Sequence, residues 1–550
     1  MKLNSKLFLT VSSIVILMSL SNIFFIQIDI TNDKRYSLSK STLTKLKKID
    51  EPLIIDIFLE GDIPENYIPF RNELDAILNR LKYYNSNIVL KYNDPFQYGK
   101  SVSIIEQMKE FGFTPEIVIQ NKNGNRNENI IFPWAIFSYK GKVQKVELLQ
   151  KQLGDNENMK IIRSIQLLEN KIMDGIFRVS INEKKNIAVL SSHGTSKNIK
   201  IADLLKSIKP YYNLSAFNFK NPEVSPIQSL DNLKKFNLLI ISNASKKFTQ
   251  SEKYILDQYN LNGGRLLWMI NGVAIDRDSL FKKSGKSYLL PNDLNLEDYF
   301  FNYGIKIKKT LIQDIYCAPI VVASGNNDKT QYIPYPWVYY PIIKPEETII
   351  GKDTAPIICR FASPIEAIDN MLSKSLLLKS SNFIKTSAFP EEISLEQATK
   401  KITPSAFNQK SKAIGYLIQG ENNSLFKNRI KPFKTNTNIE KGNIELVVIS
   451  DGNLAENQID KGSPLTLGYD KWTNNFYANR SWIINVIHSL VGNRDYLVTK
   501  GKKWNFAFFD AQKTKKNSQV WKWTLISLPI LIGIISLWVA SKIRSKHLKL

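Results

Sequence analysis

Apolar residues along this chain fall into three patterns. A long unbroken apolar run lies near each end. Between them, short β-branched runs alternate with stretches where apolar residues recur every three or four positions. The first pattern predicts membrane helices, the second strands and the third helices with one buried face.

After the N-terminal run, Ser39 is a predicted N-cap for a helix over 40–49, stopped by Pro52. LIIDIFL (53–59) predicts a strand. Over Tyr67–Tyr84, Phe70, Leu74, Ile77, Leu78 and Leu81 share one helical face. A strand at Ile88–Tyr92 and a helix at Val102–Phe111 follow. Strands are then expected at Glu116–Gln120, Ile130–Tyr139 and Val143–Leu149, the last two as a hairpin around Gly141. This order, β-α-β-α-β-β, predicts a small α/β domain over residues 29–155, thioredoxin-like in outline but without a cysteine pair. A long amphipathic pattern, Lys160–Phe177, predicts a connecting helix within 156–180.

The next region, 181–495, places strands at Asn186–Ser191, Leu214–Phe219, Leu238–Ser242 and Arg265–Ile270. Helices at Ile199–Lys206 and Thr249–Leu261 separate them. Short apolar strands alternating with helices predict a mostly parallel sheet covered on both faces, a Rossmann-like or flavodoxin-like core. Residues 305–440 break the pattern and read as an irregular insertion. It holds the aromatic, proline-rich stretch Tyr332–Pro341 (YIPYPWVYYP), expected as a loop. The α/β pattern returns at Glu445–Ile449, ending in Ser450-Asp451-Gly452, and continues in a helix from Asn475 to Leu490.

The end runs decide topology. Residues 7–28 (LFLTVSSIVILMSLSNIFFIQI) carry no charge, enough to cross a hydrocarbon core of about 30 Å. Lys2 and Lys6 precede this run and Asp29 follows it, which puts the N-terminus in the cytoplasm. A cleaved signal peptide is the alternative. Phe24-Phe25-Ile26 stands where its small residues belong, so an uncleaved anchor is expected. The second span is 523–541 (WTLISLPILIGIISLWVAS), after a basic juxtamembrane segment over 496–522. Two spans return the C-terminus to the cytoplasm and leave the bulk outside it, in the periplasm.

Composition adds exclusions. The 75 Lys and Arg against 50 Asp and Glu give a net charge of +25. The basic residues are mostly scattered lysines, with no arginine-rich groove, so no nucleic-acid partner is predicted. Cys317 and Cys359 are able to pair in an oxidising compartment, though their spacing fixes nothing. With His193, His488 and His547 as the only histidines, no metal centre is predicted. Gly99-Lys100-Ser101 lacks the earlier glycine of a phosphate loop, since Asp94 stands there. Ser191–Ser196 carries one glycine where a dinucleotide fingerprint needs three, so no cofactor is expected either.

Six residues remain as candidate ligand or partner contacts. His193 and Asp451 each follow a strand, at the end where open α/β sheets place ligands. The plain alternatives are a turn histidine capping backbone and an Asp-Gly turn. Tyr335, Trp337, Tyr339 and Tyr340 are aromatic anchors suited to an interface, or a loop folded back over the sheet. No catalytic residue is assigned. A membrane-anchored periplasmic hydrolase working from His193 and Asp451, and a structural scaffold of an envelope complex, are the rival functions.

Several stretches, in order, resemble one family. They are Tyr36-Ser37-Leu38-Ser39 with Thr42-Leu43 and Leu46, the strand LIIDIFL, Asn93-Asp94-Pro95, and Ser192-His193-Gly194. Phe248-Thr249, Glu252-Lys253-Tyr254, Leu256-Asp257-Gln258-Tyr259, Gly263-Gly264 and Leu266-Leu267-Trp268 continue the series, and the terminal membrane helix ends it. Together they resemble the auxiliary, nominally substrate-binding component of the gliding-motility-associated ABC transporter, the GldG family of Bacteroidetes. That resemblance implies a non-catalytic subunit, a partner ABC ATPase, a multi-span permease and a role in gliding. It brings no catalytic residues.

Overall fold

The computed structural model describes residues 37–99, 101–122, 125–324, 331–387, 389–435, 438–493, 497 and 518–547. The chain divides into two compact units, residues 37–502 and the two termini, residues 1–36 with 503–550. Of the terminal unit, the helix Ser518–His547 is described. Its stretch Ser518–Lys542, 25 residues long, is apolar enough to cross a membrane and contains the predicted span 523–541. Its hydroxyls turn back on the backbone, as when Thr524 Oγ1 donates to Val520 O at 2.8 Å. This leaves an apolar outer surface. The predicted span 7–28 and most of the juxtamembrane segment lie outside the described residues.

Residues 37–502 form a mixed α/β structure with two principal sheets. The smaller runs in the order Ile88–Tyr92, Leu53–Ile57, Trp134–Tyr139, Lys142–Glu147, the first pair parallel and the others antiparallel. Leu53, Ile55 and Ile57 are fully buried, so strand alternation sets one face inward. Helices Ile68–Tyr84 and Glu157–Ser180 pack together, the latter directly on this sheet. Close approach is possible at Gly175, where a Cβ would lie 2.4 Å from the Phe137 ring. The far end of the same helix reaches the larger core through Phe177. The predicted strand Ile130–Tyr139 is two strands, Asn125–Ile131 and Trp134–Tyr139. Pro133 falls at the break, where its missing N–H interrupts a ladder.

The larger sheet has the path Ile305–Ile307, Ile365–Ala367, Ala413–Asn423, Lys441–Ile449, Arg265–Met269, Leu238–Ser242, Asn186–Leu190, Asn213–Phe217. Its last five strands are mutually parallel. Taken in chain order, those five lie side by side as second, first, third, fourth, fifth. Their residues alternate strictly between two cores. Leu238, Ile240, Leu267, Met269, Val447 and Ile449 face one side, against Leu204, Ile208, Trp482 and Ile487. Leu239, Ile241, Leu266, Trp268, Leu446 and Val448 face the other, against Leu230, Leu233, Tyr254 and Tyr259. At about 1.5–3 kcal/mol per buried side chain, this double-sided burial is the main force holding the sheet.

Residues 305–440 differ from the expected insertion. They supply four strands to the same sheet, including Ala413–Asn423, antiparallel to Lys441–Ile449 over nine residue pairs. The aromatic stretch is the strand Gln331–Ile343, paired with Cys317–Ser324. Its prolines suggest a loop, but Pro334 and Pro336 are two apart. Both missing N–H groups therefore fall on one side of the ladder, and one register serves both. A helix not expected from periodicity, Pro226–Leu233, starts with a capping box of Ser225 and Gln228.

Candidate functional site

In a sheet of this order the chain reverses direction between the first strand, Asn186–Leu190, and the third, Leu238–Ser242. Ligand crevices belong outside the carboxyl ends of the strands at such a point. Here the chain fills the reversal point itself. The His193 carbonyl accepts from Ser245 N at 2.9 Å and Lys246 N at 3.0 Å, and Ser196 N donates to Ser242 O at 3.0 Å. A Cβ on Gly194 would lie 2.2 Å from Ser245 Oγ.

His193 is sealed into this closure. Its Nδ1 meets Ser192 Oγ at 2.9 Å, its Nε2 meets Glu252 Oε2 at 3.1 Å, and its ring stacks on Phe248 at 4.0 Å. Glu252 also closes the capping box of helix Gln250–Leu261 by accepting from Thr249 N at 2.7 Å. Burial would raise the Glu252 pKa. Bonds from His193, Lys220 and Thr249 outweigh it and hold the pKa at about 2. Ser192, His193 and Glu252 thus have the connectivity of a nucleophile, base and orienting acid, but all three are buried. Ser192 Oγ also accepts from Phe219 N at 3.3 Å.

Asp451 is fully buried on the opposite side of the sheet. Phe248, beside His193, belongs to one core, whereas Cys359 and Leu454, beside Asp451, belong to the other. The structure therefore does not bring His193 and Asp451 together. Asp451 accepts from Arg360 N at 2.7 Å and Asn453 N at 2.8 Å. Burial pushes its pKa to about 6 despite those bonds. Cys317 and Cys359 are free thiols that flank Pro341 from either side.

The open cavity lies beside the closure, lined in part by the segments that follow the first, fourth and fifth parallel strands. Its volume is about 780 Å³. Glu456, 3% exposed, ties its floor together. Glu456 Oε1 accepts from Ser196 Oγ at 2.7 Å and Asn243 Nδ2 at 3.3 Å; Oε2 accepts from Arg277 NH1 at 2.7 Å. Arg360 NH1 donates to the Glu456 carbonyl at 3.2 Å, and Lys200 Nζ lies 3.9 Å from the carboxylate. Burial would raise the Glu456 pKa, but Arg277, Lys200 and the Ser196 bond keep it below the ordinary carboxyl value. Phe281, Ile320, Tyr340 and Ile358 form apolar walls. On the rim Tyr332 stacks on Trp472 at 6.1 Å, with both rings more than half exposed.

Of the predicted aromatic contacts, Tyr340 alone lines this cavity. Trp337 and Tyr339 are buried in the core beneath it and Tyr335 packs at that core's edge, because a strand sends alternate side chains inward. Glu456, Arg277, Arg360 and Trp472 were not singled out by sequence. The signal available for Glu456 was its place five residues after the Asp451 turn, where the chain leaves a buried parallel strand.

A family model described as "ABC-type uncharacterized transport system" matches residues 184–486, and so covers the larger sheet and all the cavity residues named here. A second, described as a domain of unknown function, matches residues 32–138. An uncharacterized protein of Borreliella burgdorferi is 23% identical over 447 residues, covering 78% of this chain and 80% of that protein. Among solved structures, the mmIFT52 N-terminal domain aligns at a TM-score of 0.32 and 13% identity, over 56% of this chain and 97% of that one.

Proposed function

This chain belongs to the ABC-type uncharacterized transport system family, an auxiliary family of ABC transporters, and on that premise we propose that it is a non-catalytic, membrane-anchored subunit of such a transporter. Its partners are an ABC ATPase and a multi-span permease. Two spans, near residues 7–28 and 523–541, hold it in the cytoplasmic membrane with both termini inside and the α/β bulk in the periplasm. The resemblance to the gliding-motility component extends this reading to gliding. The smaller sheet is read as thioredoxin-like in outline. The larger is read as a flavodoxin-like core, which its second-first-third strand order supports.

The observation that carries the proposal is the family match over residues 184–486, joined to a terminal helix suited to a membrane. The non-catalytic reading is supported by the strand ends. His193, Glu252, Asp451 and Glu456 each hold fixed bonds that tie loops together. Purification of the tagged full-length chain in mild detergent, followed by mass spectrometry, tests the proposal. An ATPase and a multi-span permease in stoichiometric yield are expected. A partnerless chain after crosslinking overturns it.

A further inference from the structure

We propose that the cavity beside Glu456 binds a small ligand through one anionic group, a phosphate monoester or a carboxylate, held between Arg277 and Arg360 with the ligand body against the apolar wall. This deepens the transporter reading by naming a ligand class, and its biological use rests on that reading. The binding itself is a property of this chain alone.

The argument turns on which hydrogen-bonding capacity is spent. Glu456 has both carboxylate oxygens engaged and is almost inaccessible. Asp470 on the rim accepts from Gln458 Nε2 at 2.8 Å, Trp472 N at 3.4 Å and the Thr473 hydroxyl. The arginines are the reverse. Arg277 spends NH1 alone, on Asn453 and Glu456. Arg360 likewise spends NH1 alone, on the Glu456 carbonyl, while its guanidinium lies over the Tyr340 ring at 5.9 Å. Nε and NH2 of both have no protein acceptor among the described residues.

Both guanidinium groups are anchored on the same residue and line the same space, so each is held in place with a fork of donors left over. Planar donor forks on a fixed base match the paired oxygens of phosphate or carboxylate. Lys200, 43% exposed on its side chain, adds a third cation. The rim carboxylates Asp278 and Asp470 oppose more than one negative group, which favours a monoanion or monoester over a polyphosphate. Phe281, Ile320 and Tyr340 offer an apolar wall. A volume of about 780 Å³ suits a ligand of metabolite size.

Calorimetric titration of the full-length chain in detergent tests this with three probes: glucose 1-phosphate, glucuronate and glucose. Binding of one of the two anionic probes, with none for glucose, is the expected result, and which one binds identifies the anion. Arg360→Gln should weaken that binding about tenfold or more. Arg277 also holds the floor, so Arg277→Gln is paired with Lys200→Ala, which leaves the floor bonds intact and should weaken binding severalfold. No heat from either anionic probe at millimolar concentration overturns the proposal. So does equal affinity for glucose, or unchanged affinity in Arg360→Gln with an unshifted melting curve. Co-purification with a permease is read separately, so failure of either result leaves the other standing.

Discussion

Ser196 Oγ donates to Glu456 Oε1 at 2.7 Å across 260 residues of chain, which joins the loop after the first parallel strand to the turn after the last. Asn243, after the third strand, reaches the same oxygen, and Arg277 holds the other. One carboxylate thus fixes the carboxyl ends of the sheet relative to one another. Glu456→Gln should lower stability by about 1–2 kcal/mol, because Arg277 loses its counter-charge while the amide keeps one acceptor. Arg277 is about a third exposed, which keeps the cost below that of a fully buried pair. Urea unfolding should show a lower midpoint at unchanged slope. Adding Ser196→Ala should show coupling of about 0.5–1 kcal/mol with Glu456→Gln, since the two share a bond.

The buried carboxyls give stability a pH dependence of two opposite signs. Glu252, held at about 2, contributes stability that is present above its unfolded value and lost as pH falls toward 2. Asp451 and Asp257, both raised to about 6 chiefly by burial, act the other way. Over that window the native state keeps protons that the unfolded state has released, so stability falls as pH rises from about 4 to about 6. Each shift of about two units corresponds to at most roughly 3 kcal/mol. Asp451→Asn cannot ionise. Asp314 is buried and raised in the same direction, so unfolding free energies measured across this range should still fall in the variant, but by up to roughly 3 kcal/mol less than in the parent.

What the sequence made legible was what local periodicity controls. LLIIS at 238–242 and RLLWM at 265–269 are strands because Leu238–Ile241 and Leu266–Met269 are apolar throughout and both sheet faces are covered. Ser39 caps its helix by accepting from Thr42 N. What was not legible depends on partners distant in sequence. Ala413–Asn423 contains Gly415 and Gly420 and ends in polar residues. It is a strand because Lys441–Ile449 runs alongside it. The chemistry of Glu456 is set by Ser196, Asn243 and Arg277, none near it in sequence. His193 was found by its place after a strand, yet its pocket is filled by Phe248 and Glu252, which belong to the approach and first turn of a later helix.

Gly194 meets two constraints that separate substitutions resolve. Its φ is +65°, and a Cβ there would lie 2.2 Å from Ser245 Oγ. Gly194→Ala should cost about 2–4 kcal/mol, roughly 1 from backbone strain and the rest from displacing Ser245. Ser245→Ala removes the blocking hydroxyl, and the next atoms, Lys246 Cγ and Ser245 Cβ, are 3.6 Å away. The double variant should recover most of the loss except the strain. Thermal denaturation of the four proteins in the cycle measures this. Equal losses with and without Ser245→Ala would place the constraint in the backbone alone.

The terminal helix makes the proposed two-span topology measurable. Ile532 is near its middle and 60% exposed, with Leu528, Leu531 and Ile535 among its neighbours. An arginine at the centre of a spanning helix costs about 2.5–3.5 kcal/mol on the scale of insertion by the cellular machinery. The parent segment has no comparable penalty, because its hydroxyls are bonded to its own backbone and its charges lie at its two ends, Lys522 and Lys542. With the N-terminus inside and two spans, a C-terminal alkaline phosphatase fusion should be inactive and a C-terminal green fluorescent protein fusion bright. Ile532→Arg should keep a fraction of chains from inserting the second helix and leave their C-termini outside. Phosphatase activity should then rise and fluorescence fall together. Active phosphatase in the parent would mean that one span, not two, is inserted, which overturns the two-span topology.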